Sequence, residues 1–254
     1  MRIAKRIIFI FLPALWLAGS LLATDAATVL KAVEENTMGL NAPRDVEADM
    51  LMTIQDGVNV RNREIHAWTR NNQDKDDVRV LKFLSPADVR DVGFLVLAED
   101  SMYIYLPEFH RTRRIASSNK KDPFMGSDFS YEDMGTSAYS QYYDPKLLKE
   151  NTGEWQLELL RKKGANKPYA KIILTVSKSN SMPTRMELFD AAGNLSKVAE
   201  QTSQQAGKYW IMARIKMSNV KKGTATVMEM KNIKVDQNLQ DEIFSERFLK
   251  KKGL

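Results

Sequence analysis

The chain has 254 residues, 43% hydrophobic and 28% charged, with a formal net charge of +6. That balance belongs to a globular protein and excludes a disordered one. Cysteine is absent and only two histidines occur, His66 and His110. Disulfides, thiolate metal sites and cysteine nucleophiles are therefore excluded, and most histidine-based metal or acid–base designs with them.

In chain order, Arg2, Lys5 and Arg6 precede an apolar run over 7–23, and small residues follow in ATDAA (23–27). This order predicts a secretory signal peptide over 1–26, cleaved after Ala26, with Ala23 as the alternative. The run is short for a spanning helix and is interrupted by Pro13 and Gly19. With no cysteine near the junction, a lipidated N-terminus is excluded, and the mature chain is expected in the periplasm. Arg2, Lys5 and Arg6 account for half of the excess charge, which removes the support for a nucleic-acid reading. The remaining basic runs, 162–167, 220–223 and 247–254, read as solvated turns or ends. Contact with anionic lipid headgroups or an acidic partner is their alternative use.

Residues 26–38 place Val29, Leu30 and Val33 at helical spacing. The period then changes to two: Val46, Ala48, Met50, Met52 and Ile54 alternate with Glu47, Asp49, Leu51, Thr53 and Gln55, as in a half-buried strand. Further strands are expected at 58–71, 78–84, 93–99 and 101–108. The stretch 117–151 breaks the rhythm and reads as a helical lid insertion, with a short helix over DPKLLKEN (144–151) that has Pro145 at its first position. Strand patterns resume at 155–163, 169–178, 184–190, 195–202, 209–219 and 225–236, and a short helix closes the chain, docking through Ile243, Phe244 and Phe248. The sum is a mainly β (α+β) chain. It is expected to form, over 27–254, a single strongly curved antiparallel sheet, or half-open β-barrel, of about eleven strands with helices covering the concave side.

No nucleophile elbow, zinc-protease helix, phosphate loop or calcium loop is present. His66, inside a strand, and His110, among Arg111, Arg113 and Arg114, read as structural or surface residues. An enzyme is not expected, and neither a metal nor a cofactor. What stands out is apolar surplus. Both faces of GFLVLA and MYIYL are apolar, so one face requires a second cover or a ligand. The candidate cavity and lid residues are Met50, Met52, Phe94, Tyr103, Tyr105, Phe124, Met125, Phe129, Tyr131, Met134, Tyr139, Trp210 and Met212. Methionines in such positions suit an adaptable cavity, or simply a methionine-rich core.

PFMGSDFSYEDMG (123–135) concentrates Asp128, Glu132 and Asp133 among aromatics and methionines. Its carboxylates lack calcium-loop spacing, whereas Ser130–Asp133 fits a capping box. The stretch reads as an acid-capped lid or plug presenting its apolar side to the mouth of a half-barrel.

Together with LKFLSPADVRDVGFLVL (81–97), YIYLPEFHRTRRI (103–115) and MPTRMELFDAAGNLSKV (182–198), the segment FMGSDFSYEDM (124–134) makes the chain resemble the LolA/LolB-like family. Within it, the chain is most similar to the outer membrane lipoprotein-sorting group. The resemblance implies a half-open barrel whose apolar concave face shelters acyl chains in the aqueous periplasm. The implied partners are a lipid or lipoprotein cargo, an inner-membrane transporter of the RND type, and an outer-membrane acceptor. No arginine here is matched to the one that holds the lid in LolA, so lipid or lipophile binding is implied more firmly than lipoprotein specificity. Two other readings are an accessory subunit of an RND-type exporter and a hydrolase using Asp128 or Asp133.

Overall fold

A computed structural model describes residues 24–72, 76–135 and 138–253. The apolar run of the expected signal peptide lies outside the described residues. Helix α1 (Ala26–Thr37) opens the described chain. The Asp25 carboxylate accepts from the Thr28 backbone N–H at 3.3 Å and caps it. Strands β1 (Asp45–Asp56), β2 (Asn59–Arg70), β3 (Val78–Ser85), β4 (Gly93–Ala98), β5 (Ser101–Leu106) and β6 (Arg111–Arg114) form a first meander. Helix α2 (Tyr139–Tyr142) leads into a second: β7 (Tyr143–Glu150), β8 (Glu154–Arg161), β9 (Lys171–Ser177), β10 (Pro183–Phe189), β11 (Leu195–Ala206), β12 (Tyr209–Asn219) and β13 (Thr224–Val235). Helix α3 (Glu246–Leu249) lies near the end.

The two meanders join through β1 and β13 into one 13-stranded antiparallel sheet, in the order β6-β5-β4-β3-β2-β1-β13-β12-β11-β10-β9-β8-β7. Right-handed twist accumulated over so many strands curls a sheet rather than leaving it flat. The central seam is methionine-rich: Met50 faces Met230 and Met52 faces Met228 across β1 and β13. These side chains alternate with outward ones, so one face of the sheet carries the main core. Val29, Leu30 and Val33 of α1 bury into that face.

The other face is covered as well. Phe94, Val96, Met102 and Ile104 point to the main core, while the intervening Leu95, Tyr103 and Tyr105 join Trp68 and Val80 in a second cluster. Leu239, Ile243, Phe244, Phe248 and Leu249 of the C-terminal segment cover that cluster, with the Trp68 and Phe248 rings edge-to-face at 5.2 Å. This is the second cover that the two-sided apolar strands required. The segment is pinned there by polar bonds. The Asp45 carboxylate accepts from the backbone of Gln237 (2.7 Å) and Leu239 (3.2 Å). The buried Lys82 ammonium donates to the carbonyls of Leu249 (2.9 Å), Lys251 (2.8 Å) and Asp91 (3.2 Å).

Three expectations are corrected. Among the described residues there are thirteen strands rather than about eleven, since Arg111–Arg114 and Tyr143–Glu150 both pair. Residues 144–150 of the expected helix (144–151) form strand instead: β7 is an edge strand, bonded to β8 alone, and an edge is where a strand tolerates a proline such as Pro145. The insertion over 117–151 is correspondingly not helical. Among its described residues only short 3-10 turns and the four-residue α2 occur before β7 begins.

Candidate functional site

The strands β6 and β7, consecutive in sequence, lie at opposite edges of the sheet. The connection between them therefore runs across the concave face, and it carries the acidic–aromatic stretch. Phe124 is fully buried, and its ring lies 5.0 Å from Phe94, 5.5 Å from Tyr131 and 6.0 Å from Phe83. Phe129 and Met134 are buried beside it. Met125 and Gly126 both take left-handed backbone angles (φ +50° and +72°), which makes the tight reversal after Phe124. The Met125 carbonyl accepts from the Arg63 guanidinium.

All three carboxylates of the stretch are engaged. Asp128 accepts from the hydroxyls of Thr224 (2.5 Å) and Thr226 (2.7 Å) on β13, which fixes the segment to the sheet. Asp133 closes a reciprocal capping box with Ser130 (2.8 and 3.1 Å). Only a single turn follows, and the carboxylate also accepts from Lys197 (2.9 Å) and the Tyr169 hydroxyl (2.8 Å). Glu132 pairs with Lys167 at 2.7 Å, and Lys167 reaches Glu99 at 2.6 Å. Glu99 in turn accepts from the Tyr142 hydroxyl, which holds that phenol's proton more tightly than usual. Glu99 belongs to the β4–β5 turn and Lys167 to the β8–β9 loop, so this chain of bonds ties the two meanders together over the mouth. Lys167, in a run expected to be a solvated turn, is buried.

Two cavities remain beneath. A groove of about 320 Å³ lies between α1 and the strands, lined by Val33, Met182, Met186, Trp210, Met212 and Met230, with Tyr139 at the crossing segment. Asp77 and Arg79 also border it. Burial raises the Asp77 carboxyl to about 6 and lowers the Arg79 guanidinium from its usual value; Arg79 donates to the Met134 carbonyl at 3.0 Å. A second, smaller chamber of about 140 Å³ is lined by Phe129, Tyr169, Ile172, Leu188, Ile215 and Met217. A larger cleft of about 700 Å³ beside α1 is open and borders Glu34, Glu35, Asp76 and Asp77. With five carboxylates on its walls, against Asp77 alone in the groove, it suits an apolar guest less well.

β12 carries a β-bulge. Thr202 faces Arg214, but Ser203 faces Met212, so Ala213 is the extra residue. Ile215 and Met217, beyond the bulge, line the small chamber, and Trp210, Ile211 and Met212, before it, border the groove.

The candidate residues thus separate into groups. Tyr139, Trp210 and Met212 border the groove, and Phe129 and Tyr139 border the small chamber. Met50, Met52, Phe94, Phe124 and Met134 fill the core; Met125 and Tyr131 pack against it. Tyr103 and Tyr105 are corrected: strand alternation turns them to the opposite face, under the C-terminal segment. Sequence reasoning missed Met186, Asp77, Arg79 and Tyr169. Met186 had a signal, as it falls in a strand pattern, but nothing in the sequence said which strand faces α1. Among the described residues no group of three or more potential metal-ligating side chains occurs.

The chain belongs to a protein family described as "Uncharacterized protein", whose sequence model matches residues 75–251. Its fold is that of the LolA superfamily. A crystal structure of a DUF1329 family protein from Desulfovibrio piger is similar at 25% identity with a TM-score of 0.81, covering 89% of this chain and 100% of its own. An outer membrane lipoprotein-sorting protein domain from Vibrio parahaemolyticus is similar at 27% identity and a TM-score of 0.78, with the same coverage. A LolA superfamily protein from Nitrosomonas europaea shares the fold at 19% identity, with a TM-score of 0.69 and again 89% and 100% coverage. A search of curated proteins returns no match.

Proposed function

We propose that this protein is a periplasmic binding protein that shelters the apolar chain of a lipid, or the acyl chains of a lipoprotein, during transfer within the envelope. The observation that carries the reading is the methionine- and tryptophan-lined groove of about 320 Å³ on the concave face of a LolA-superfamily half-barrel. That volume lies at the lower end of the usual range for small-molecule pockets, about 300–1,000 Å³. Each buried methylene contributes about 0.8 kcal/mol, so a lipid crossing water gains strongly from such a sleeve. Flexible methionines adapt to chains of different shape.

A hydrolase finds no support in the acidic stretch. Asp128, Glu132 and Asp133 are each consumed by structural bonds. The exporter-subunit alternative has no observation behind it. Brief contact with a membrane surface belongs to the same reading. The β1–β2 tip exposes Val58 and Val60, and the adjacent β12–β13 tip exposes Val220, beside Arg61, Lys221 and Lys222. No described helix is long and apolar enough to cross a membrane.

Processing after Ala23 fits this reading better than after Ala26, because Asp25 caps α1 and Ala26 is buried. The mature N-terminus is then Thr24, and intact-mass measurement of protein secreted by its own leader checks it. The function itself is tested by mass spectrometry of lipid extracted from protein purified gently from the periplasm. A lipid in near-stoichiometric amount is expected. Protein that arrives empty, and then fails to bind a fluorescent fatty acid, would refute the reading.

A further inference from the structure

We infer that the groove and the small chamber are one binding tunnel interrupted by a partition, Tyr139 against Met186, and that this pair sets the length of alkyl chain the protein accepts. The inference rests on the reading of the groove as a lipophile site. Gly135, Tyr139 and Met186 border both cavities. The Tyr139 hydroxyl donates to the Met186 sulfur at 3.4 Å, which closes the passage between them. Thioether sulfur is a weak acceptor, and methionine has three rotatable bonds. The partition is therefore a soft wall between the two cavities.

Its two halves come from different parts of the chain. Tyr139 stands on the four-residue α2, at the end of the segment that crosses the mouth, and Met186 stands on β10. The sheet side of the small chamber is apolar, lined by Ile172, Leu188, Ile215 and Met217, while Glu132, Asp133 and Lys167, paired in the bonds described above, border its other side. Glycine at 135 leaves the third border without a side chain. A chain end pressing on the partition thus meets apolar surface behind it, and swinging the methionine aside joins the two spaces. Within an unobstructed tunnel each further methylene strengthens binding about fourfold; at a closed wall that gain stops.

The test uses the processed, full-length protein and saturated fatty acids of increasing length, which displace a fluorescent fatty-acid probe. In the wild type, affinity should climb about fourfold per methylene and then level off. In Met186→Ala the levelling point should move to longer chains by several carbons. Tyr139→Phe, which removes only the hydroxyl, should move it in the same direction but less, and serves as the measurement if Met186→Ala does not fold. An unchanged levelling point in variants that fold and bind the probe overturns the partition and leaves the groove reading intact. A wild type that binds no probe refutes the groove reading, and the partition with it.

Discussion

Asp128 shows how little chemistry an acidic cluster requires. Its carboxylate is buried and accepts two hydroxyl bonds from β13, so it works as a clasp. Asp128→Asn replaces a charged acceptor by a neutral amide and should cost about 1.5–3 kcal/mol. Urea unfolding should show a lower midpoint with an unchanged slope. Asp77 makes the opposite prediction about pH. Burial lifts its carboxyl to about 6 in the folded chain, against about 3.9 when unfolded. Above pH 6 the cost of burying the charge is fully present. As pH falls from about 6 to about 4 the folded chain takes up the proton first, and this residue makes the protein more stable. Asp77→Asn should therefore be more stable at neutral pH by about 2–3 kcal/mol, with that difference shrinking toward pH 4. A difference that does not change with pH would contradict the assignment. Some residue roles were legible in the sequence and others were not. The reciprocal Ser130–Asp133 capping could be read from spacing. The bonds of Lys167 and Asp128 could not, because their partners lie 35 and 96 or more positions away.

The C-terminal segment is the element whose role is most easily tested. Leu249 is fully buried, and Gly93 beneath it has no room for a side chain, since an added Cβ would lie 2.5 Å from the Leu249 Cδ1. Leu249→Ala should cost about 2–5 kcal/mol, and Gly93→Ala should displace the segment. Limited proteolysis in both variants should then cut near 245–253 faster than in the wild type, while the sheet stays intact. Equal cleavage rates would mean that the segment is held mainly by Lys82 and Asp45. Most strands were legible because period-two patterns and glycine turns are local signals. β7 was not, because DPKLLKEN has helix-like composition and only its pairing with β8 makes it extended. Both faces of β5 are apolar, so its sequence alone fits Tyr103 and Tyr105 to the cavity as readily as to the opposite face. Alternation separates the two faces, but it cannot say which one is concave.

At the scale of the molecule, the decisive fact is topological. Two consecutive strands form the two edges of one curved sheet, so the link between them has to cross the mouth. The sequence carried the plug's residues but not the distance they span, since edge positions follow from the long-range pairing of β1 with β13. The β12 bulge was equally hidden; it separates Trp210 and Met212, which border the groove, from Ile215 and Met217, which line the small chamber. That placement gives the most direct test of lipophile binding. Trp210 borders the groove, whereas Trp68 lies on the opposite face under the C-terminal segment and Trp155, on β8, borders neither the groove nor the small chamber. Titration of the processed protein with a spin-labelled fatty acid should quench tryptophan emission saturably, and Trp210→Phe should remove most of that quenching. No saturable quenching, or the same quenching in Trp210→Phe, would contradict the account.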